Sequence, residues 1–345
     1  MRKYRVGILG ATGTVGQRFV QLLENHPQLE VTALAASDRS AGKPYAEACA
    51  WKLNGSIPQS VREILVQPIE PPFDCEIVFS SLPSSVARET EEVFARAGYP
   101  IVSNSSCYRM DEDVPLLIPE INHEHLGLIE TQQKKRGFGK GFIVTNPNCA
   151  VASFAPPLAA VHRRFGIESV IVTTMQAISG AGYPGVASLD IADNVVPYIA
   201  GEEPKVETET QKILGDFVDG SIRKADFTVS AQCFRVNVID GHTASVRVNL
   251  RRTSTLEEVV ESMRAFPSLS LYSSPKNFIE VCDEPSRPQP RLDRDNGNGM
   301  TITVGRVFPD NIFDYRFVAL SHNTVRGAAG SAILNAELLI DKRII

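Results

Sequence analysis

A chain of 345 residues is long enough for two domains of ordinary size. Hydrophobic residues at 43% and charged residues at 22% exclude a disordered chain, and a net charge of −5 offers no basic surface to nucleic acid or an anionic membrane. No apolar run approaches the ~20 residues that span a bilayer, no secretory leader precedes the first apolar run, and six dispersed cysteines without a CxxC pair read as free thiols of a reducing compartment, the cytoplasm by default, and not as a disulfide frame or a zinc ribbon.

The first strand is expected at Tyr4–Leu9, followed by Gly10-Ala-Thr-Gly13-Thr-Val-Gly16 and an amphipathic helix over 16–25 that His26-Pro27 ends. A second strand is expected at 31–36. Short β-rich runs at 76–80 and 100–103 enclose a helix at 89–97. This alternation predicts an α/β domain with a mainly parallel sheet. A strand at 141–144 leads into Thr145-Asn-Pro-Asn-Cys149 and a helix-like run, whose Pro156-Pro157 puts its length in question because proline removes a backbone bond and clashes with the preceding turn.

Beyond Cys149 the character changes. Runs at 170–175, 233–238 and 243–250 are strand-like, and Val246, Val248 and Leu250 alternate as in a half-covered antiparallel strand. Ser254-Thr-Leu-Glu257 reads as a capping box that opens a helix to about 265. Strands at 300–307 and 315–320 follow the turn chemistry of Gly297-Asn-Gly299. This half reads as α+β with an antiparallel sheet. The small-residue tail, 323–339, reads as helical and able to dock back on the first domain. The expected division is 1–148 completed by 323–345, with 149–322 as the second domain.

Glycines between a strand and a helix permit a tight turn and close backbone approach, and the free N–H groups at the helix start attract a pyrophosphate. Gly10, Gly13 and Gly16 therefore point to a dinucleotide site, with an ordinary strand–helix turn as the bland reading. At the tip of the second strand, Ser37, Arg39, Ser40 and Lys43 suit a 2′-phosphate and favour NADP. Asp38 speaks for a ribose hydroxyl instead, and Lys43 fits a solvated loop equally well.

Cys149 stands at a helix start, in a positive local field that lowers a thiol's pKa. Most cysteines are nonetheless buried small hydrophobes. A nucleophile needs a base. His26, His123 and His125 lie in polar connecting stretches and read as surface, His162 as a solvated helix face, and His322 as structural. His242 follows Asp240-Gly241 at the entry to a strand, a position where function often collects, and is the candidate.

Taken together, Gly-Ala-Thr-Gly-x-Val-Gly, Asn-Pro-Asn-Cys and Arg-x6-His resemble the aspartate-semialdehyde dehydrogenase family. The runs 37–43 and Arg287-Pro-Gln-Pro-Arg291 look like its archaeal and fungal branch, and the resemblance extends from Tyr4 to His322-Asn-Thr-Val-Arg-Gly-Ala-Ala-Gly330. It implies a Rossmann-type dinucleotide-binding domain plus an α+β catalytic and dimerisation domain. It also implies NADP, a homodimer or homotetramer, and reduction of L-aspartyl-4-phosphate to L-aspartate 4-semialdehyde in lysine, threonine and methionine synthesis. By resemblance Cys149 is the nucleophile, His242 the acid–base, and Gln176 the residue that orients the acyl intermediate. Arg235 would bind the α-carboxylate, Glu209 the amino group, and Lys212 and Arg109 the phosphate, with Asn148 beside them. Thr12, Thr14, Val15, Ser80, Ser179, Gly180 and Asn323 would join the three glycines around the cofactor.

A thioester route splits one difficult step into two easier ones, and a positioned proton transfer adds ~10²–10⁴ in rate. Bland alternatives stand beside these roles: Arg109 and Lys212 as surface charges, Glu209 and Lys212 as an i,i+3 helix ion pair. Ala150-Val-Ala departs from the small hydroxyl residues common after the nucleophile in this branch, and Cys107 reads as an incidental thiol. An acyl-CoA reductase such as malonyl-CoA reductase is the competing activity, disfavoured by a carboxylate at Glu209 that wants an ammonium group. N-acetylglutamyl-phosphate reductase is more distant. An inactive paralogue is opposed by the joint presence of Cys149, Gln176, Arg235 and His242.

Overall fold

The computed structural model describes residues 2–345. Six short strands form the first sheet: β1 (Tyr4–Leu9), β2 (Leu29–Ala35), β3 (Val66–Gln67), β4 (Ile77–Ser80), β5 (Pro100–Ser103) and β6 (Phe142–Thr145). Their order is β3-β2-β1-β4-β5-β6, and every pair is parallel. Helices α1 (Thr14–Leu23), α2 (Ser84–Arg96) and α3 (Leu128–Arg136) cover the faces. Strands covered on both faces need unbroken apolar runs, and β4 and β6 are buried at every position. The strand order reverses between β1 and β4. The crevice at their carboxyl ends is where an open α/β sheet takes a ligand, and the glycine turn 10–16 lies there. α1 begins two residues earlier than expected, and α2 five residues earlier, directly after Pro83.

α4 (Val151–Phe165) runs unbroken through Pro156 and Pro157. All but three of its residues are buried, so tertiary packing offsets the backbone bonds the prolines cannot make. The second sheet comprises β7 (Ile167–Gln176), β8 (Val195–Val196), β9 (Thr228–Val236), β10 (His242–Leu250), β11 (Ile279–Val281), β12 (Ile302–Pro309) and β13 (Tyr315–Ser321). Its order is β11-β12-β13-β10-β7-β9-β8. The sheet is mixed and mainly antiparallel, with β9 on β7 and β11 on β12 as the parallel pairs. α4, α5 (Glu202–Ile213) and α6 (Leu256–Arg264) pack on one face, where Val170, Val172, Val246 and Phe317 join one apolar core. The capping box that opens α6 uses Thr255 and Glu258, one residue later than Ser254 and Glu257.

The tail forms a wide turn, Val325–Ala329, and then α7 (Gly330–Asp341). Ile333, Ala336, Leu338 and Leu339 share a core with Val6, Ile8 and Phe79 of the first sheet. Arg326 donates to both oxygens of Glu120 at 2.9 and 2.7 Å, a fully buried bidentate pair. His26 and His125 are not surface residues. His26 Nε2 lies 2.8 Å from Glu337 of α7, and His125 Nε2 lies 3.0 Å from the Gly215 carbonyl, both rings buried. The partners that satisfy each ring, Glu337 and the Gly215 carbonyl, lie far away in the sequence, so local polarity did not reveal the burial. Among the described residues no helix is long and apolar enough to cross a membrane, and all six cysteines are free.

Candidate active site

The Asn148 side chain caps α4: its Oδ1 accepts from the N–H groups of Ala150 at 2.8 Å and Val151 at 3.3 Å. This cap holds Cys149 at the mouth of the helix, below β6. His242 is the first residue of β10, and its Nε2 lies 3.1 Å from Cys149 Sγ. The Ala177 N–H donates to His242 Nδ1 at 3.0 Å. Gln176 ends β7 beside its register partner Arg235 on β9. Arg235 Nη1 donates to the Ala177 carbonyl at 2.7 Å. A cavity of about 500 Å³ opens over this group, walled by the first sheet's loops on one side and the second domain on the other.

Two glycines stand at the points of closest approach. A Cβ on Gly327, in the tail's wide turn, would fall 2.7 Å from the Cys149 Cβ, and one on Gly180 would fall 2.9 Å from Arg235 Nη1. The tail is thus part of the site wall.

Electrostatics departs from the expectation of a helix-start thiolate. Burial pushes the Cys149 thiol up to about 12, Glu202 adds to the rise, and Arg109 and Arg235 oppose it. Burial also holds the His242 imidazole down to about 3, helped by Arg235 and His322. Desolvation outweighs the helix-start field. Burial thus favours the neutral form of both members of the pair.

Glu209 and Lys212 do not face the cavity. Glu209 accepts from Arg109 Nη1 at 3.0 Å and from the Asn148 N–H at 2.6 Å. Lys212 Nζ donates to three carbonyls, of Arg109, Asp111 and Val114, each at 2.8 Å, and is 2% exposed. All three ammonium hydrogens are satisfied, so this lysine holds the loop that carries Arg109. The cavity is lined instead by Glu202 and Lys205, one heptad earlier on α5. Glu202 Oε1 accepts from Asn148 Nδ2 at 2.7 Å and Gln176 Nε2 at 3.0 Å, and Lys205 Nζ lies 3.7 Å from Glu202 Oε2. The sequence reading missed this pair. Its signal was the same Glu-x-x-Lys spacing directly after Gly201, at the start of α5, the end of the helix nearer Cys149. Arg109 is where expected: it lines the cavity, and its buried Nε has no partner.

On the cofactor side, Thr14, Val15, Ser179, Gly180 and Asn323 line the cavity. Asn323 Nδ2 donates to Ser179 Oγ at 2.8 Å, and its Oδ1 accepts from the Gly241 N–H at 2.8 Å, fastening the loops before His242 and after Gln176 to the tail. Gly10 has a φ of +76°, and a Cβ on Gly16 would lie 2.3 Å from the Gly10 carbonyl oxygen. The Thr12 carbonyl accepts from Gln17 Nε2 at 2.9 Å, which braces the turn, while Gly13 is exposed at the N-cap of α1. Ser37, Arg39, Ser40 and Lys43 form a turn at the end of β2, outside the cavity. Ser37, Arg39 and Lys43 are exposed, and Lys43 Nζ donates to the Arg39 carbonyl at 3.1 Å. Ser80 lies at the tip of β4 but is fully buried and does not reach the cleft, because the chain turns over it there.

Residues 5–129 match the family described as "Semialdehyde dehydrogenase, NAD binding domain", and residues 158–326 match "Semialdehyde dehydrogenase, dimerisation domain". The chain is 53% identical to an aspartate-semialdehyde dehydrogenase of Archaeoglobus fulgidus, over 99% of this chain and 100% of that protein. Its fold is similar to the crystal structure of aspartate semialdehyde dehydrogenase with NADP from Candida albicans, with a TM-score of 0.91 at 43% identity, covering 99% of this chain and 100% of that one. It is also similar to aspartate semialdehyde dehydrogenase II complexed with ASA from Vibrio cholerae, with a TM-score of 0.79 at 27% identity and 99% of each chain covered.

Proposed function

The chain belongs to the aspartate-semialdehyde dehydrogenase family, and on that premise we propose how its residues carry out NADP-dependent reduction of L-aspartyl-4-phosphate to L-aspartate 4-semialdehyde. The observation that carries the reading is the 3.1 Å Cys149–His242 pair at the floor of a cleft that also holds Arg109, Arg235, Glu202 and Lys205. A substrate with a phosphate, a carboxylate and an ammonium group needs cations at two places and one carboxylate. Arg235 receives the α-carboxylate, Glu202 the ammonium, and Arg109 with Lys205 the phosphate. Glu202 takes over the discriminating role first given to Glu209, and it disfavours an acyl-CoA substrate that lacks an amino group.

Cys149 attacks the acyl phosphate carbonyl and expels phosphate, leaving a thioester that Gln176 orients. The bound cofactor supplies the hydride that converts this thioester to the aldehyde. The chain fits NADP in two places: the glycine cradle, where Gly16 leaves no room for a Cβ, and the Ser37–Arg39–Ser40–Lys43 turn, whose hydroxyls and cations suit a 2′-phosphate. Thr14, Val15, Ser179, Gly180 and Asn323 would then flank the nicotinamide end.

The division proposed is 1–148 with 323–345 around the cofactor, and 149–322 around the substrate. The free cysteines support a reducing compartment, the cytoplasm. The second sheet has helices on one face only. Its other face presents Ile171, Met175, Phe234 and Val318, partly exposed on alternating positions. A homodimer formed over this face, alone or within a tetramer, would cover it.

The deciding assay follows NADPH formation from L-aspartate semialdehyde, with wild type beside Cys149→Ala. Activity in wild type that needs inorganic phosphate and is absent from the variant is the expected result. Wild-type inactivity on this substrate, with NADPH oxidation on malonyl-CoA, would overturn the assignment.

A further inference from the structure

We propose that Glu209 is a positioning residue for the phosphate step. It sets Arg109 at a fixed distance from the thioester on Cys149, by holding the arginine with one carboxylate oxygen and the backbone beside the nucleophile with the other. The proposal rests on the dehydrogenase reading and adds to it a residue that lies outside the cavity lining.

Glu209 stands one heptad after Glu202 on α5 and is 1% exposed. Its Oε1 accepts from Arg109 Nη1 at 3.0 Å, and its Oε2 accepts from the Asn148 N–H at 2.6 Å. The two donors come from different loops, one after β5 and one after β6. A carboxylate offers an acceptor on both terminal atoms, and an amide does not. One turn farther along α5, Lys212 Nζ donates to the Arg109 carbonyl at 2.8 Å. α5 therefore grips Arg109 at both ends, the guanidinium through Glu209 and the backbone through Lys212. Asn148 is gripped in the same way, at its N–H by Glu209 and at its side-chain amide by Glu202.

A guanidinium is planar, so bonds from two of its nitrogens fix its orientation. Nη1 is held by Glu209, and Nη2 donates to the Asn104 carbonyl at 2.8 Å. The buried Nε has no partner among the described residues. The hydrogens left over are those a phosphate meets, in an orientation the protein has set beforehand. Neutralising a buried arginine accounts for the Arg109 bond alone. The second bond, to the residue before Cys149, ties the phosphate ligand to the nucleophile.

In the oxidative direction a phosphate oxygen attacks the thioester carbon. The C–O bond forms, the C–S bond breaks, and the proton of the monohydrogen dianion ends on the Cys149 sulfur. The reacting atoms must start about 3–3.5 Å apart, and a misplacement of about 1 Å costs on the order of 10²-fold. Formation of the thioester from the aldehyde involves no phosphate and does not depend on where Arg109 stands. That asymmetry separates a positioning role from a structural one.

The test is rapid-mixing kinetics with L-aspartate semialdehyde and NADP. Without phosphate, a single turnover of NADPH reports thioester formation. Phosphate added afterwards reports phosphorolysis, read as acyl phosphate released. Wild type is compared with Glu209→Gln, Arg109→Ala and the double variant. In Glu209→Gln the one amide oxygen keeps the fixed Asn148 N–H, and the amide NH₂ is set against Arg109, donor against donor. The NADPH burst should keep its rate constant within about threefold, while phosphorolysis falls by about 10²-fold. In the Arg109→Ala background the same change should cost less than about threefold, because Glu209 acts through Arg109. Burst amplitude counts competent sites, so misfolded protein lowers the amplitude and leaves the rate constants. Glu209→Asp, with both oxygens at a shorter reach, is the second variant and should lose about tenfold on phosphorolysis alone. Equal losses in the two steps would make Glu209 merely structural. Full additivity with Arg109→Ala would remove the arginine from its action, and a raised half-saturation for the semialdehyde would return Glu209 to the ammonium group. If the dehydrogenase reading fails, wild type shows no burst before any variant is compared, and the proposal falls with it.

Discussion

At the scale of single residues, the two Glu-x-x-Lys pairs on α5 divide the labour. Lys205 stands in the cleft, while Lys212 spends its three hydrogens on the loop that carries Arg109. Replacing each by alanine separates the roles. Lys205→Ala should raise KM for phosphate in the oxidative direction by roughly 10–100-fold, the worth of one charge-assisted hydrogen bond, with the urea midpoint unchanged. Lys212→Ala should lower unfolding stability by about 3 kcal/mol or more, because three buried carbonyls lose their donor. A shift in KM for Lys212→Ala with full stability, and none for Lys205→Ala, would restore the sequence-based assignment. The glycines, Cys149 and His242 stood out as candidates because each sits at an element's boundary, and Gln176, Arg109 and Arg235 entered only through the family resemblance. The places of the lysines were not legible, since a heptad slip on one helix preserves the face and the spacing.

At the scale of elements, the carboxyl end of the first sheet rests on a buried carboxylate of α2. Glu91 is fully buried, and its Oε1 accepts from Ser103 Oγ at 2.7 Å. Ser103 Oγ in turn accepts from the Ser105 N–H at 3.0 Å, at the start of the loop to Arg109. Burial raises the Glu91 carboxyl from 4.5 to about 7, against hydrogen bonds from serines and the pull of Arg109 and Arg88. A carboxyl raised on folding favours the fold in its protonated form. Its contribution is complete below pH 4.5 and is lost as pH rises through about 7, on the order of 3 kcal/mol in all. Glu91→Gln should therefore flatten this part of the stability–pH curve in denaturant titrations. An unaltered slope between those pH values would show that Glu91 is ionised throughout. The helix itself was read from the sequence, but its buried glutamate was not, because burial of one acidic position depends on what β5 brings beneath it.

At the scale of the whole molecule, the tail crosses back to the first domain and also lines the cleft. Arg326 is paired with Glu120, α7 fills the first core, and Gly327 abuts Cys149. One segment therefore couples cofactor side, nucleophile and fold. The open face of the second sheet bears on assembly. Sedimentation at micromolar concentration should show a dimer or larger, and a charge at the centre of that face, as in Ile171→Asp, should shift the population toward monomer. Monomeric wild-type protein would remove the open face as an interface.

The sequence by itself determined the order and type of the major elements and the strand–glycine–helix turn, and it made Cys149 and His242 candidates. Periodicity and glycine placement are local, and they were sufficient for the elements and the turn. Only the tertiary structure decided the burial of the Cys149–His242 pair, which of the two Glu-x-x-Lys pairs lines the cleft, the burial of His26, His125 and Ser80, and the continuity of α4 through two prolines. Each of these depends on desolvation or packing by residues distant in the chain, and no local pattern encodes what will lie on the other side of a side chain.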